Sequence, residues 1–200
     1  MKNQSGTEPK MVKLPESKNQ TIIFNIKGIT PLIVHKFSEK ARKRIEEKKM
    51  GEGKRGRDIC DPNAEYLAAL HVCKDGTPGF PASGFKAAMV RASKNLGHKM
   101  TDSNTSFYIV ADDKENQLIK INGTHEMRTD PVIVGIGGAD IRYRPMFREW
   151  SAKIKIIYDA GCVSAEQLAT MLEKAGQFVG IGEWRNSSKK SGSFGAFEIQ

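Results

Sequence analysis

Hydrophobic and polar residues alternate in two long stretches of the chain and recur at helical spacing in two others. In residues 20–27, Ile22, Phe24 and Ile26 fall on one side, and Ile23, Asn25 and Lys27 on the other. That period of two marks a half-buried strand. Lys153-Ile154-Lys155-Ile156-Ile157-Tyr158 repeats the pattern, with Ile154, Ile156 and Tyr158 on the inner face. Phe85, Ala88, Met89, Ala92 and Leu96 form one helical stripe, and Pro81 and Ser83 mark where that helix starts. Leu168, Met171, Leu172, Ala175 and Val179 form a second stripe. There Ser164 and Gln167 have the spacing of a capping box, and Val163 and Leu168 that of a hydrophobic staple.

Shorter signals lie between these. Leu32-Ile33-Val34 is a brief apolar run, and residues 106–110 and 118–121 read as strands around an Asp112-Asp113-Lys114 turn. Asp75-Gly76 marks a tight turn. Residues 64–72 are apolar and fit a helix or a strand equally well, and Asp61-Pro62 before them disfavours helix, closing a hinge over 58–61. Two apolar helices, each flanked by strands, predict an α+β fold on the βαββαβ, ferredoxin-like (RRM-like) plan. The expected organisation is a polar tail over 1–19 and one domain over 20–200. That domain carries a basic arm at 38–57 and a polar, Gly-rich excursion at 124–139.

No apolar run approaches a membrane span, and the polar start has no signal-peptide centre. Cys60, Cys73 and Cys162 are an odd number without paired spacing, which points to free thiols in the cytoplasm. Cys60, His71 and Cys73 match no zinc spacing and lack a fourth ligand, so neither a metal nor a cofactor is expected.

Charge changes the picture most. Lys plus Arg number 32 against 23 acids, a formal net charge of +9, which favours a polyanionic partner. Ser38 caps a helix running to about residue 50; Lys36 precedes it and Arg42 lies in it, among glutamates at i,i+4 spacing. Gly53-Lys54-Arg55-Gly56-Arg57 is almost unopposed by acid and suits a phosphate backbone. Lys86 and Arg91 lie off the apolar stripe of their helix, with Lys86 in the first turn near free N–H groups. In an extended 141–145 segment, Arg142 and Arg144 share one side, and Tyr143, Phe147, Arg148 and Trp150 are close by. Cations that hold phosphate and rings that stack bases suit a single strand. The alternative is that the aromatics are core and the arginines pair with Asp140 and Glu149. Finally, Gly180, Gly182, Trp184, Arg185, Lys189, Lys190 and Gly192 form a basic glycine loop. Such a loop either makes tight turns or admits a ligand backbone.

Strand, amphipathic helix, basic G-x-G loop and then Ser193-Phe194-Gly195 into a last strand resembles the carboxy-terminal half of RAMP-superfamily proteins, the RNA-binding proteins of CRISPR systems. Pro81, Lys86 and the small residues between them resemble the opening of that family's first helix, with Ala82 in place of its usual glycine. Thr30-Pro31-Leu32-Ile33-Val34-His35-Lys36, Gly79-Phe80-Pro81-Ala82, Ala139-Asp140-Ile141-Arg142-Tyr143-Arg144, Glu149-Trp150-Ser151-Ala152 and Val179-Gly180-Ile181-Gly182-Glu183-Trp184-Arg185 further resemble a widespread phage-encoded family. The resemblance implies a subunit like the CRISPR backbone protein that coats guide RNA, with the 38–57 arm or the 124–139 excursion as its projecting thumb. The leading expectation is a non-catalytic binder of single-stranded RNA or DNA that assembles side by side, as a homo-oligomer or helical filament, in a host cytoplasm. Two others compete with it: a metal-dependent ribonuclease using Asp58 and Asp61, and a protein-interaction or inhibitor module acting on a CRISPR-like complex.

Overall fold

The computed structural model describes residues 18–51, 60–134, 138–188 and 192–200. The architecture is mixed α+β, built on two antiparallel sheets. The larger is organised by strands β1 (Asn19–Gly28) and β8 (Ser151–Asp159), which pair antiparallel along their length, from Asn19 opposite Asp159 to Lys27 opposite Ser151. The alternation read from the sequence sets which face is buried: Ile26, Ile154 and Ile156 are fully enclosed, while Ile23, Lys153 and Lys155 are exposed. Strand β9 (Phe197–Ile199) pairs with the other edge of β1 at Ile26, Lys27 and Gly28. On the far edge of β8, β4 (Phe107–Val110) and β5 (Leu118–Asn122) pair at its two ends, and β3 (Gly79–Pro81) lies outside β5. The path through the sheet is therefore β3, β5, β8, β1, β9, and β4 branches from the other end of β8, so that β9, β1, β8 and β4 are also consecutive neighbours.

Two helices cover one face. Helix α3 (Ala82–Ser93) joins the β3 end of the sheet to β4 through a 3-10 turn at Lys94–Leu96 and helix α4 (Met100–Ser106). Helix α5 (Ala165–Lys174) connects β8 to β9. Phe85, Met89 and Ala92 of α3 and Leu168, Met171 and Leu172 of α5 are almost wholly buried, in one cluster with the inner residues of the sheet. The capping box at Ser164 is present: Gln167 N–H donates to its hydroxyl at 3.2 Å, and its own N–H donates to Gln167 Oε1 at 2.9 Å. Val163 and Leu168, the staple pair, are both buried. The last turn of this element, Ala175–Val179, widens into a π-helix. Gly176 sits there because a Cβ would come within 2.0 Å of the Phe197 carbonyl, so only glycine lets β9 lie against the helix.

The smaller sheet has the order β2 (Leu32–Ile33), β7 (Gly138–Phe147), β6 (His125–Val134). The polar, Gly-rich excursion lies largely in a ribbon. Most of residues 124–139 are strand, paired in register from His125 opposite Phe147 to Val134 opposite Gly138. The polar residues of the segment alternate between the ribbon's faces, and Asp130 and Arg144 meet in its interior.

Helix α2 (Pro62–Ala68) resolves the 64–72 ambiguity and corrects the reading of Asp61-Pro62. The Asp61 carboxylate accepts from Asn63 N–H at 3.0 Å and Ala64 N–H at 3.3 Å, so aspartate caps the helix and proline occupies its first turn. Tyr66 of α2 hydrogen-bonds the His125 ring, tying the helix to the second sheet. The 112–114 turn is held by Asp113, whose carboxylate accepts from the N–H groups of Lys74, Glu115 and Asn116 and from the Asn116 side chain at 2.9–3.2 Å. The Asn116 side chain above all holds that carboxyl below its usual range. Helix α1 (Glu39–Lys49) spans most of the expected 38–50 helix, but none of its contacts with the other elements is more than marginal.

Candidate functional site

The two stretches of greatest interest in the sequence, the opening of α3 and the glycine loop after α5, face one another. Between them is a cleft of about 280 Å³. One wall is α3, contributing Gly84, Ala87, Ala88 and Arg91; the other is Val179 to Glu183 with Arg185 and Ser187; His35, His71 and Phe80 close the end.

Each wall has a local cause. Gly84 is required because a Cβ would meet the Phe80 ring at 2.5 Å; its absence lets Phe80 lie against the first turn of α3. Phe80 in turn packs edge-on against Phe85, with ring centroids 5.6 Å apart. In the loop, Gly180 and Gly182 have φ of +70° and +76°, and Trp184 also lies at positive φ, +50°. Glu183 N–H donates to the Ile33 carbonyl at 2.9 Å, and a Cβ on Gly182 would stand 2.4 Å from that same oxygen. Ile181 N–H donates to the Gly195 carbonyl at 3.0 Å. A Cβ on Gly192 would approach the Trp184 carbonyl to 1.7 Å. The close approaches that Gly182 and Gly192 permit are thus made by the chain's own backbone, as in the tight-turn alternative. Arg185 fixes the loop from within: its Nη1 donates to the Gly182 carbonyl at 2.8 Å and its Nε to Ser187 Oγ at 3.2 Å.

The two histidines at the end of the cleft are half-buried. Burial, then the nearby Arg144, lowers the pKa of His35, with Glu183 acting against them. Burial and then Lys36 push His71 down to about 4. Both imidazoles are neutral near pH 7 and can donate or accept one hydrogen bond each. The formal charges on the cleft wall are Arg91, exposed on α3, Arg185 and the opposing Glu183.

Behind the loop is a charged cluster in the second sheet. Arg144 and Asp130 are both buried and stand 3.7 Å apart; Arg128 Nε binds the other Asp130 oxygen at 2.8 Å. The Trp184 ring covers both guanidinium groups, at 5.3 Å from Arg128 and 5.6 Å from Arg144, and Phe194 lies 5.0 Å from Arg128.

Of the residues selected from sequence, Arg91, Gly180, Gly182 and Arg185 meet in the cleft. Lys36 and Arg142 lie close enough to act on its histidines. Arg144 is interior rather than a surface contact, and Trp184 roofs it and the half-buried Arg128. Tyr143 is half-buried, while Phe147 and Trp150 are core, as the alternative reading held. The arginines in and just after β7 do pair with carboxylates, but largely with other partners: Arg142 with Asp140 at 3.0 Å, Arg148 with Glu126 at 2.6 Å, and Arg144 with Asp130. Lys86 points away from the cleft's chemistry, with Nζ 5.9 Å from the centre of the Phe107 ring. Arg42 pairs with Glu46 at 2.9 Å on α1. Lys54, Arg55, Arg57, Lys189 and Lys190 lie outside the described residues. The meeting of His35 and His71 escapes sequence reasoning because no spacing rule links them. The Arg128–Asp130 pair has a faint signal, an i,i+2 repeat of opposite charges facing Arg142 and Arg144 across the ribbon.

No protein-family model matches the chain, and no curated protein matches it. Among solved structures, the crystal structure of Cmr6 from Pyrococcus furiosus is similar over 92% of this chain and 98% of that chain, at 9% identity and a TM-score of 0.47. Among the described residues, no group of three or more His, Cys, Asp or Glu side chains is placed to hold a metal ion. No helix there is long and apolar enough to cross a membrane.

Proposed function

We propose that the chain is a non-catalytic binder of single-stranded RNA or DNA, and that a phosphate of the strand seats in the cleft between α3 and the glycine loop. The observation that carries this reading is the convergence of Arg91, the Arg185 guanidinium, two of whose N–H groups the loop already takes, and two neutral imidazoles on a cleft whose wall holds one carboxylate, Glu183. Guanidinium groups hold phosphate by paired N–H donation, and the chain's formal charge of +9 draws the polyanion in. The strand order β9, β1, β8, β4, with α3 and α5 crossing on one face, supports a ferredoxin-like, RAMP-like core. Capping of α2 engages the Asp61 carboxylate, which favours binding over a nuclease built on that residue. The three cysteines are free and two of them exposed, in keeping with a reducing, cytoplasmic setting. Assembly side by side belongs to the same proposal: Phe37, Ile45 and Met50, in and beside the barely packed α1, are exposed apolar residues a neighbour can cover.

Fluorescence anisotropy with labelled uridine and thymidine homopolymers across a salt series tests the reading. The logarithm of affinity should fall with that of salt, by a slope of roughly −0.7 per phosphate contact. Affinity independent of salt, or a preference for duplex, overturns it.

A further inference from the structure

The face of the larger sheet opposite α3 and α5 is not covered by any element of the described residues. Register places its side chains in rows. Tyr108, Ile157 and Thr21 form one row, and Val110, Lys155 and Ile23 the next; Lys153 stands beside Asn25, and Lys27 beside Ser151. Tyr108 is 53% and Ile23 52% exposed, and Lys27, Lys153 and Lys155 stand in solvent. Among the described residues, no carboxylate lies within ion-pair distance of these three lysines. Two acids border the face. Asp159, at one end, turns its carboxylate into the loop, accepting from Gly161 N–H at 2.8 Å and from Cys162 Sγ at 3.3 Å. Glu198, opposite Lys27, is exposed at the other end.

Ring, aliphatic shelf and the cations Lys153 and Lys155, which have no carboxylate at the facing register positions, at a row spacing of about 6.8 Å, two residues of strand, have the chemistry of a stacking platform beside a phosphate track, with Lys27 beside Glu198 at its end. Protein interfaces are depleted in lysine at their centre, and a second copy docked symmetrically on this face would set its lysines against the same lysines. We propose that this open face is a second contact surface for the single strand, stacking an unpaired base on Tyr108 while Lys155, Lys153 and Lys27 follow its backbone. The proposal rests on the strand-binding reading of the cleft and adds a surface on the opposite side of the β-sheet from α3.

The test titrates labelled uridine homopolymer with the full chain, Tyr108→Ala, Tyr108→Phe, a Lys153→Glu/Lys155→Glu pair and the cleft variant Arg91→Ala. Thermal melting of each variant checks its fold. Removing the ring should weaken binding between about fivefold and a hundredfold, the range for one stacked base, whereas Tyr108→Phe should stay within about twofold of the parent. The lysine pair should weaken binding and flatten its salt dependence, and it carries the test if Tyr108→Ala does not fold. Parent-like binding by Tyr108→Ala and the lysine pair, with loss in Arg91→Ala, overturns the second surface and leaves the cleft reading standing. Loss in the face variants with parent-like binding by Arg91→Ala upholds the face and overturns the cleft. A parent chain that binds no single strand overturns both, and leaves a protein partner as the occupant of the face.

Discussion

Asp130 and Arg144 face one another at 3.7 Å in the interior of the β6–β7 ribbon, each almost entirely withdrawn from solvent. The pair belongs to the fold and should be read by stability. Removing Asp130 leaves the buried Arg144 charge uncompensated, so Asp130→Ala should lose about 3–5 kcal/mol in urea unfolding, whereas Asp130 keeps Arg128 after Arg144→Ala and that loss should be smaller. Arg142→Ala, which breaks a half-exposed pair with Asp140, should cost less than about 1 kcal/mol. Equal small losses at all three positions would show that the buried pair is hydrated and structurally idle.

Acidification should weaken the fold through His71. Its pKa is about 4 in the folded chain against 6.5 for the ordinary residue. Between these values the unfolded chain binds more protons, so stability should fall as pH drops from 6.5 toward 4, and this contribution should then level off. Melting temperatures measured over that range should show a shallower decline for His71→Gln; an identical decline would assign the effect to other groups.

Glycine substitutions should separate strain from collision. Gly97 and Gly195 both have positive φ, +81° and +68°, but a Cβ on Gly97 meets open space whereas one on Gly195 would lie 1.8 Å from the Ile181 carbonyl. Gly97→Ala should cost about 1–2 kcal/mol, the left-handed penalty alone. Gly195→Ala should cost clearly more and should also impair strand binding, since it displaces the loop that walls the cleft. Matching losses in chemical denaturation would show that the loop yields without strain.

Strand binding should respond to charge by position. Arg91→Ala removes a cation from the cleft wall and should weaken single-strand affinity several-fold while flattening the salt slope, because one phosphate contact disappears. Arg42→Ala removes a cation already engaged with Glu46 on α1 and should change affinity less. The reverse order, measured by anisotropy at fixed salt, would move the binding surface to α1.

How much of this was legible depended on the range of the forces involved. The β1 and β8 strands, the α3 and α5 stripes and the Ser164 capping box are local patterns, written within a few residues. The β6–β7 ribbon was not legible, because its inward residues include Arg128, Asp130 and Arg144, which register as polar until each is set beside its partner. Asp61-Pro62 carried two opposed local meanings, and the Asp61 side chain decided for a helix start. In the cleft, Arg91 and the glycine loop were identified separately; only the tertiary fold shows that they face each other, and only it brings His71 to His35.

Among the described residues strand β1 is the first and β9 the last, yet they lie side by side, and the glycine loop is wedged between the residues leading into β9 and the Pro31–Ile33 segment. The cleft wall therefore depends on a contact between the two most distant strands in the sequence. Closure of so long a loop comes late in folding, after the local helices and hairpins have formed. The α3 and α5 helices and the β6–β7 hairpin need no such closure and can form before β9 reaches β1. If the cleft seats a strand as proposed, the bound strand clamps the β1–β9 contact from outside, and its release and the parting of those two strands become linked.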